Sequence, residues 1–293
     1  TPRIPRMVGV RTEDWKLIRY PDIAAMDEMY NLEADPYELK NLANMPAFSD
    51  KLAALRRELE GLMERTGANE FEKPMAPVLK GSGELVLDYR FDSLEGNRIE
   101  DLSGHGNHGQ AQGLRLLPGR TGRSASFPEQ AFVDVPRSSS LDPSMRTWAV
   151  EAWIRPTEAG VVLAHGGASR GYVLFVETGL PCFGVREMKR VYVARGTAPC
   201  IGSWTHVVGT ILDRKVALYV NGEFADAVPL PTMIKSNPNE GLQVGRDTGT
   251  PVDKRISPKD YEGMIDRVRI YSRALTDEEV QQRYVESRDG EGE

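Results

Sequence analysis

One stretch of the chain concentrates residue types that could bind a metal ion. Asp101, His105, Asn107 and His108 stand close together in the string Asp101-Leu-Ser-Gly-His-Gly-Asn-His-Gly109. Calcium takes about six oxygen ligands, which a single loop rarely supplies, and histidine is a poor ligand for it. A tight glycine loop, in which Asp101 and Asn107 bond their own backbone, explains the same string. We therefore predict that this loop is structural.

A carboxylate inside an apolar strand is the stronger metal candidate. Asp266 interrupts the apolar run from Gly263 to Tyr271, and a buried, unpaired charge is costly. Asp92 ends an earlier strand-like run and could lie nearby. Carboxylates are hard oxygen ligands of the kind that calcium takes. The alternative is that Asp266 faces solvent or pairs with Arg267 or Arg269.

Aromatic and basic residues that could hold a sugar occur together at two places. Tyr192 follows Lys189 and Arg190, and Tyr261 follows Lys259. Stacking on an aromatic ring, combined with charge-assisted hydrogen bonds from Lys or Arg, suits a sulfated glycan. We predict that the exposed candidates for a glycan site are Tyr192, Tyr261, Lys189 and Arg190. The aromatic residues expected in the core instead are Trp148, Trp153, Trp204 and Tyr172.

A pair of acids and a pair of cysteines complete the chemical inventory. Glu151 and Glu177 lie on neighbouring predicted strands, as the paired carboxylates of glycoside hydrolases do. No array of closely spaced acids on one strand accompanies them, so hydrolysis is not the favoured interpretation. Cys182 and Cys200 are too few for a disulfide framework or a zinc site. They flank a predicted hairpin, which allows one bridge or two buried thiols.

The composition limits the function classes that the chain can serve. Its 293 residues carry a formal net charge of −6, which argues against nucleic-acid and anionic-membrane partners because both reward clustered positive charge. Its apolar runs are shorter than the roughly 18–20 residues that span a bilayer. The chain starts at Thr1 without a signal peptide, so we expect a piece of a longer polypeptide with its export signal upstream.

The spacing of apolar residues divides the chain into a small α+β unit and a larger β unit. Residues 1–66 predict strands within Val8–Tyr20 and at Glu28, followed by a helix capped by Ser49 or Asp50. The apolar stripe of that helix is Leu52, Leu55, Leu59 and Leu62. A unit this thin needs a partner outside this chain to cover its apolar face. Residues 67–83 lack periodicity and predict a linker.

Residues 84–287 predict an antiparallel sandwich. Short strands alternate with turns, and the clearest pair follows Trp204, with a turn at Asp213 and a hairpin turn at Asn221-Gly222. About eleven strands without an internal repeat favour a two-sheet jelly roll over a propeller. Thr276 and Glu279 predict a capping box on a terminal helix, and residues 288–293 form a polar tail.

The first quarter of the chain resembles the C-terminal subdomain of sulfatases. The matching strings are Val10-Arg-Thr12, Trp15-Lys-Leu-Ile-Arg-Tyr20, Met29-Tyr-Asn-Leu-Glu-Ala-Asp-Pro-Tyr-Glu38 and Asn41-Leu-Ala43. The resemblance implies a small antiparallel sheet with a long helix, packed on a separate catalytic domain. That domain would carry a formylglycine, made within a Cys/Ser-x-Pro-x-Arg motif, and calcium. Cys182-Phe-Gly-Val-Arg186 has Gly in place of Pro, so we expect no sulfatase activity from this chain alone.

The β unit resembles the LamG-like, concanavalin A-type jelly roll that is appended to many secreted enzymes. The strings that carry the resemblance are Tyr89-Arg-Phe-Asp92, Asp101–Gly109, Val150-Glu-Ala-Trp-Ile-Arg-Pro156, Trp204-Thr-His-Val207, Leu218-Tyr-Val-Asn-Gly222 and Gly263–Tyr271. The chain departs from the family at Ser126, where an apolar residue is usual. The resemblance implies a structural calcium where the last strand meets the first, for which Asp266 and Asp92 are the candidates.

Both resemblances together imply a function. The chain is expected to be the C-terminal portion of a secreted or periplasmic sulfatase whose parent hydrolyses sulfate esters on a carbohydrate. Its expected partners are the parent's catalytic domain and a polysaccharide, with no nucleic acid and no membrane span. The alternative is a purely structural or adhesive module without glycan binding.

Overall fold

The computed structural model describes residues 7–20, 27–66, 85–188, 190–249, 251–252 and 260–288. The chain divides into two compact units after residue 77. The predicted linker, residues 67–83, lies outside the described residues, and so do residues 289–293 of the predicted tail.

The smaller unit is a three-stranded antiparallel sheet with one helix. Its strands, in the order β1-β2-β3, are β1 (Val8–Arg11), β2 (Trp15–Arg19) and β3 (Glu28–Asn31). A 3₁₀ turn (Pro46–Phe48) precedes α1 (Ser49–Thr66). Leu17 and Met29 of the sheet pack with Leu55, Leu59 and Met63 of the helix. The buried stripe of α1 therefore continues to Met63, whereas the predicted Leu52 and Leu62 are half-buried at its margin.

The larger unit is a two-sheet antiparallel sandwich, as predicted. Its strands are β4 (Leu85–Tyr89), β5 (Arg98–Ile99), β6 (Gly109–Gln112), β7 (Arg115–Pro118), β8 (Arg123–Phe127), β9 (Phe132–Val135), β10 (Trp148–Pro156), β11 (Gly160–Gly166), β12 (Arg170–Glu177), β13 (Leu180–Glu187), β14 (Arg190–Arg195), β15 (Thr205–Leu212), β16 (Lys215–Val220), β17 (Glu223–Pro229), β18 (Leu242–Val244) and β19 (Gly263–Tyr271). A terminal helix, α2 (Asp277–Arg288), follows.

Each sheet has eight strands, and the core lies between the sheets. The β19 sheet has the order β17-β16-β15-β10-β19-β8-β7, and β4 also pairs with β19. The β18 sheet has the order β14-β13-β12-β11-β18-β9-β6-β5. A row of four aromatic rings, Tyr89, Phe91, Phe127 and Tyr261, stacks edge to face through the core with centroids 5.9–6.4 Å apart.

Local sequence signals set the turns and the terminal helix. Asp213 and Arg214 both have positive φ, as do Asn221 and Gly222, which is the backbone geometry of tight hairpin turns. The predicted capping box is confirmed: Glu279 N donates to Thr276 Oγ1 at 3.3 Å, and Thr276 N donates to Glu279 Oε2 at 2.9 Å. Helix α2 thereby starts at a fixed point and lies on the outer face of the β19 sheet.

Candidate functional site

Three polar side chains form a row across the outer face of the β18 sheet. Gln110 of β6, Asp134 of β9 and Gln243 of β18 are direct cross-strand neighbours. Successive side chains of a strand point to opposite faces, and the residues on either side of Asp134, Val133 and Val135, are buried in the core. The polar row therefore faces outward.

An arginine and a threonine fix the orientation of this row. Arg246 Nη2 donates to both oxygens of Asp134, at 2.9 and 2.7 Å, while its guanidinium lies over the ring of Phe132. Gln243 Nε2 donates to Asp134 Oδ1 at 2.9 Å, and Thr248 N donates to Gln243 Oε1 at 2.8 Å. These bonds lock the amide and the carboxylate in place. The Asp134 side chain is still 46% exposed, so a ligand can reach it.

The row forms the floor of an open groove of about 390 Å³. Arg137, Glu240 and Thr248 also line it. Arg137 is itself held by a bond from Nε to the backbone oxygen of Pro238 at 2.8 Å. The groove thus offers amide, carboxylate and guanidinium groups in fixed positions, the set of donors and acceptors that recognises hydroxyl-rich ligands.

The residues predicted for glycan binding lie elsewhere. Tyr261 was predicted to be exposed, and this is wrong: it is fully buried, its hydroxyl donates to the Met264 oxygen at 2.9 Å, and its ring packs on Phe127. Tyr192 is half-buried and packs against the main core from β14. Arg190 is exposed at the start of β14, and Lys189 lies outside the described residues.

Strand order explains why those residues cannot join the groove. β14 is an edge strand of the β18 sheet and is separated from β18 by three other strands. At about 4.8 Å between neighbouring strands, the two places are roughly 19 Å apart. Of the aromatic residues predicted for the core, Trp148 and Tyr172 are fully buried, Trp153 is buried on the outer face near α2, and Trp204 is half-buried.

The prediction that Glu151 and Glu177 lie on neighbouring strands is wrong. Glu151 lies on β10 of the β19 sheet, whereas Glu177 ends β12 of the other sheet. Glu151 is buried against His206 and Tyr271, while Glu177 pairs at the surface with Arg195 at 3.2 Å. The alternation of short strands along the sequence did not reveal that β10 and β12 belong to different sheets.

Asp266 has a structural role in the arrangement shown. It is the extra residue of a β-bulge, because Trp153 and Ile154 of β10 pair with Arg267 and Ile265 on either side of it. Asp266 Oδ2 accepts hydrogen bonds from the backbone N–H groups of Arg120 and Thr121, at 3.0 and 3.2 Å. The carboxylate is buried, and burial raises its pKa against these bonds.

The arrangement around Asp266 fits a cation poorly. The groups that bond Asp266 are two backbone N–H groups and the Thr121 hydroxyl, and such donors occupy the place that a cation would take. Asp92 is exposed, and its Oδ1 would lie 3.0 Å from a Cβ added at Gly122, the residue after Thr121. Within the described part of the chain, no group of three or more His, Cys, Asp or Glu residues is placed to hold a metal ion. The structural calcium remains a prediction.

The glycine loop at Asp101 is held by its own side chains, as the interpretation of a tight structural loop requires. The buried Asp101 carboxylate accepts from the backbone of Asp88, Ser103 and Asn107 at 2.9–3.0 Å. Asn107 Nδ2 donates to the backbone oxygen of Val86 at 2.7 Å. His108 Nδ1 accepts from Asp101 N at 3.1 Å. The polar atoms of this loop are therefore committed to holding its backbone.

Cys182 and Cys200 are both free and buried. Burial raises the pKa of Cys182 to about 12 and that of Cys200 to about 11, so neither thiol ionises near neutral pH. Cys182 lies inside β13 rather than at the head of a helix. It therefore lacks the setting of the sulfatase motif.

Comparison with known families is consistent with both sequence resemblances. The family profile described as "Concanavalin A-like lectin/glucanases superfamily" matches residues 127–281, more than half of the chain. The chain belongs to this superfamily. A second profile, "N-sulphoglucosamine sulphohydrolase, C-terminal", matches residues 2–65. The lectin-like jelly roll thus follows a sulfatase C-terminal region on one chain, and both resemblances are confirmed.

Two curated sulfatases share a short stretch with the chain. An ulvan-active sulfatase of Formosa agariphila is 40% identical over 48 residues, which cover 16% of this chain and 8% of that protein. An N-acetylglucosamine-6-O-sulfatase of Bacteroides thetaiotaomicron is 29% identical over 83 residues, which cover 28% of this chain and 15% of that protein. The chain therefore spans only a small part of the curated relatives that it matches.

Solved structures share the lectin-like fold. Domain 4 of AbnA, an extracellular arabinanase of Geobacillus stearothermophilus solved with arabinotriose, matches with a TM-score of 0.56 and 19% identity, over 68% of this chain and 98% of that chain. The binding domain of Paraclostridial Mosquitocidal Protein 1 matches with a TM-score of 0.56 and 18% identity, over 69% and 52% of the two chains. At these identities the likeness shows the fold alone. No helix in the described ranges is long and apolar enough to cross a membrane.

Proposed function

We propose that this chain is the C-terminal portion of a secreted or periplasmic sulfatase that acts on a carbohydrate, and that its jelly roll binds glycan. The observation that carries the proposal is the outward row of Gln110, Asp134 and Gln243, which lies in an open groove on a lectin-like sandwich. A sulfatase C-terminal region on the same chain makes a carbohydrate the expected ligand class.

The chemistry of the row suits vicinal hydroxyl groups. A carboxylate oxygen accepts a hydroxyl proton, and an amide both donates and accepts, so Asp134 beside Gln110 can bond two neighbouring hydroxyls at once. Arg246 orients the Asp134 carboxylate through two charge-assisted hydrogen bonds, which are stronger than bonds between neutral groups. A groove that is preformed in this way has little ordering entropy to lose on binding.

Ester hydrolysis would belong to the parent's catalytic domain. In that domain, the formylglycine expected of a sulfatase would supply the nucleophile for sulfate transfer, and calcium would stabilise the negative charge of the sulfate group. The cysteine nearest to the motif, Cys182, is buried in the jelly roll with a raised pKa. The residues of this chain would instead bind and orient the polymer.

Binding of the full chain to an array of sulfated and unsulfated polysaccharides tests the proposal. We expect binding to at least one polysaccharide, weakened about tenfold by Gln110→Ala or Asp134→Asn, which corresponds to about 1.4 kcal/mol. Gln112→Ala is the matched control, because Gln112 is exposed on the same strand but does not line the groove. Failure of the chain to bind any polysaccharide would favour the purely structural or adhesive module instead.

A further inference from the structure

A second, smaller concavity lies at the end of the sandwich, next to the groove. It is a notch of about 280 Å³ between the β11–β12 hairpin and the loop that follows β17. Ser169 and Arg170 line it from the hairpin, and Ser236, Asn237, Asn239 and Glu240 line it from the loop. Gly167 and Ala168 complete the lining, so most of the residues around the notch carry hydroxyl, amide or charged groups.

Two buried polar atoms at this notch lack a protein partner. Asn237 Oδ1 and Arg170 Nε have no hydrogen-bond partner in the part of the chain that the structure describes. Arg170 Nη1 donates to Ser236 Oγ, which keeps the guanidinium at the notch. Buried polar atoms are normally hydrogen-bonded, so an acceptor and a donor left open together indicate a polar ligand that can do both.

Glu187 is the cross-strand partner of Arg170, on β13 and β12. Its two carboxylate oxygens have no hydrogen-bond partner among the described residues. Burial raises the pKa of Glu187, and the charges of Arg170 and Lys235 oppose that rise. Arg170 therefore acts on Glu187 through its charge, while its guanidinium is positioned at the notch by Ser236.

The notch and the groove adjoin at one residue. Glu240 lines both concavities. The loop between them is fixed to the neighbouring chain segment, because Arg137 Nε donates to Pro238 O at 2.8 Å and Asn237 Nδ2 donates to Ser138 O at 3.3 Å. A ligand that extends from the groove over Glu240 would therefore meet a notch whose loop is already held in place.

The lining of the two concavities carries two arginines and two acids. Arg137 and Arg170 stand with Asp134 and Glu240, and Arg246, beside the groove, neutralises Asp134. Arg170 is the arginine that lines the notch. Arginine is suited to bidentate recognition of sulfate and carboxylate oxygens.

We propose that the notch is a second glycan subsite, in which Arg170 contacts an anionic substituent, a sulfate or a carboxylate, of the unit next to the one in the groove. The inference rests on the proposed glycan binding. It adds that the ligand is an anionic chain of at least two units that crosses Glu240.

The test uses the full chain with three probes: ulvan, heparin and dextran sulfate, each intact and chemically desulfated, and the first two also after reduction of their carboxyl groups. We expect at least one intact probe to bind, and Arg170→Gln to weaken that binding about tenfold. The same variant should leave the form that has lost the recognised group unaffected. The desulfated and carboxyl-reduced arms identify which of the two anions Arg170 reads.

Arg115→Gln is the matched control, since it removes one exposed positive charge on β7, at the edge of the other sheet. Equal binding by Arg170→Gln and the intact chain, with Gln110→Ala still weakened, would overturn the second subsite and leave glycan binding in place. Absence of binding to all three probes, when a neutral polysaccharide binds, would likewise overturn it. Absence of any glycan binding would instead remove the proposed function itself. The melting temperature of each variant establishes that it is folded.

Discussion

Glu151 Oε1 lies 3.1 Å from His206 Nε2, with both side chains buried on the outer face of the β19 sheet. Tyr271 donates its hydroxyl to the other carboxylate oxygen at 2.7 Å, and Arg269 lies 3.7 Å from Oε1. Burial alone would raise the pKa of Glu151, but these three partners outweigh it and lower the pKa to about 2. The acid is therefore a structural anion of the sandwich.

Replacing Glu151 with alanine should strongly destabilise the jelly roll. Breaking a buried ion pair by removing one partner costs roughly 3–5 kcal/mol. The pKa of Glu151 is lower in the folded state than its usual 4.5, so its contribution is present above pH 4.5 and is lost as the pH falls towards 2. Urea unfolding between pH 2 and 7 measures both effects. Glu177→Ala, at a surface ion pair, is the control and should change stability by less than about 1 kcal/mol.

His165 should make the stability of the sandwich depend on pH in a higher range than Glu151 does. It is fully buried in contact with Tyr172, neither ring nitrogen has a partner among the described residues, and burial lowers its pKa to about 4. The unfolded state binds a proton near pH 6.5 and the folded state does not, so stability is lost as the pH falls from 6.5 to 4, by about 3 kcal/mol.

The variant His165→Phe should abolish this loss, whereas His105→Gln, in the exposed glycine loop, should retain it. Free energies of unfolding from denaturant titrations at pH 4, 5, 6 and 7 provide the comparison. An unchanged slope in His165→Phe would show that another group titrates in this range.

Asp266→Asn should lower the melting temperature whether or not calcium is present. The asparagine side chain keeps one acceptor oxygen but loses the charge that strengthens two backbone N–H bonds, at a cost of about 1–3 kcal/mol. Thermal unfolding with calcium and with a chelator separates the two roles of this residue. A melting temperature that rises with calcium in the unsubstituted chain and not in Asp266→Asn would instead support the calcium site predicted from the sequence.

Gly222→Ala should loosen α2 from the sheet. Gly222 has a φ of 82°, and an added Cβ would lie 2.9 Å from Cδ1 of the Tyr284 ring. Gly202→Ala is the matched control, with a φ of 75° and no atom within 4 Å of its added Cβ. Both variants incur about 1–2 kcal/mol of backbone strain. Overpacking adds about 1–3 kcal/mol in Gly222→Ala, so this variant should lose about 2–5 kcal/mol of stability in all. Equal melting temperatures for the two variants would show that the clash with Tyr284 does not reduce stability.

The sequence predicted the interior strands of the sandwich better than its margins. β10 and β15 are rich in apolar and β-branched residues, and β19 alternates such residues with charged ones near its end, so each pattern predicts a strand. β6 and β7 were not predicted, because they are short and carry glycine, glutamine and arginine. Packing against neighbouring strands, rather than intrinsic preference, makes these segments extended.

The candidate groove was not found from the sequence, although one signal pointed to it. In Phe132-Val-Asp-Val135 the alternation of polar and apolar residues already places Asp134 on the solvent face. Gln110 and Gln243 come from distant strands, and only the register of β6, β9 and β18 brings them to Asp134. Tyr261 was misplaced because its local sequence is polar, while its backbone N–H bond to Gly245 O draws it into the core.

The pairing of β19 has a consequence for synthesis of the protein on the ribosome. Val268 pairs with Tyr89 of β4, Ile265 with Ala125 of β8, and Ala152 of β10 pairs with Val268 from the other side. The strand that joins these three is translated after all of them, so their edges stay open until it emerges. Translational arrest ahead of Gly263 would leave separated strands with exposed edges. A chaperone that covers strand edges would therefore be needed at this sandwich until β19 has been translated.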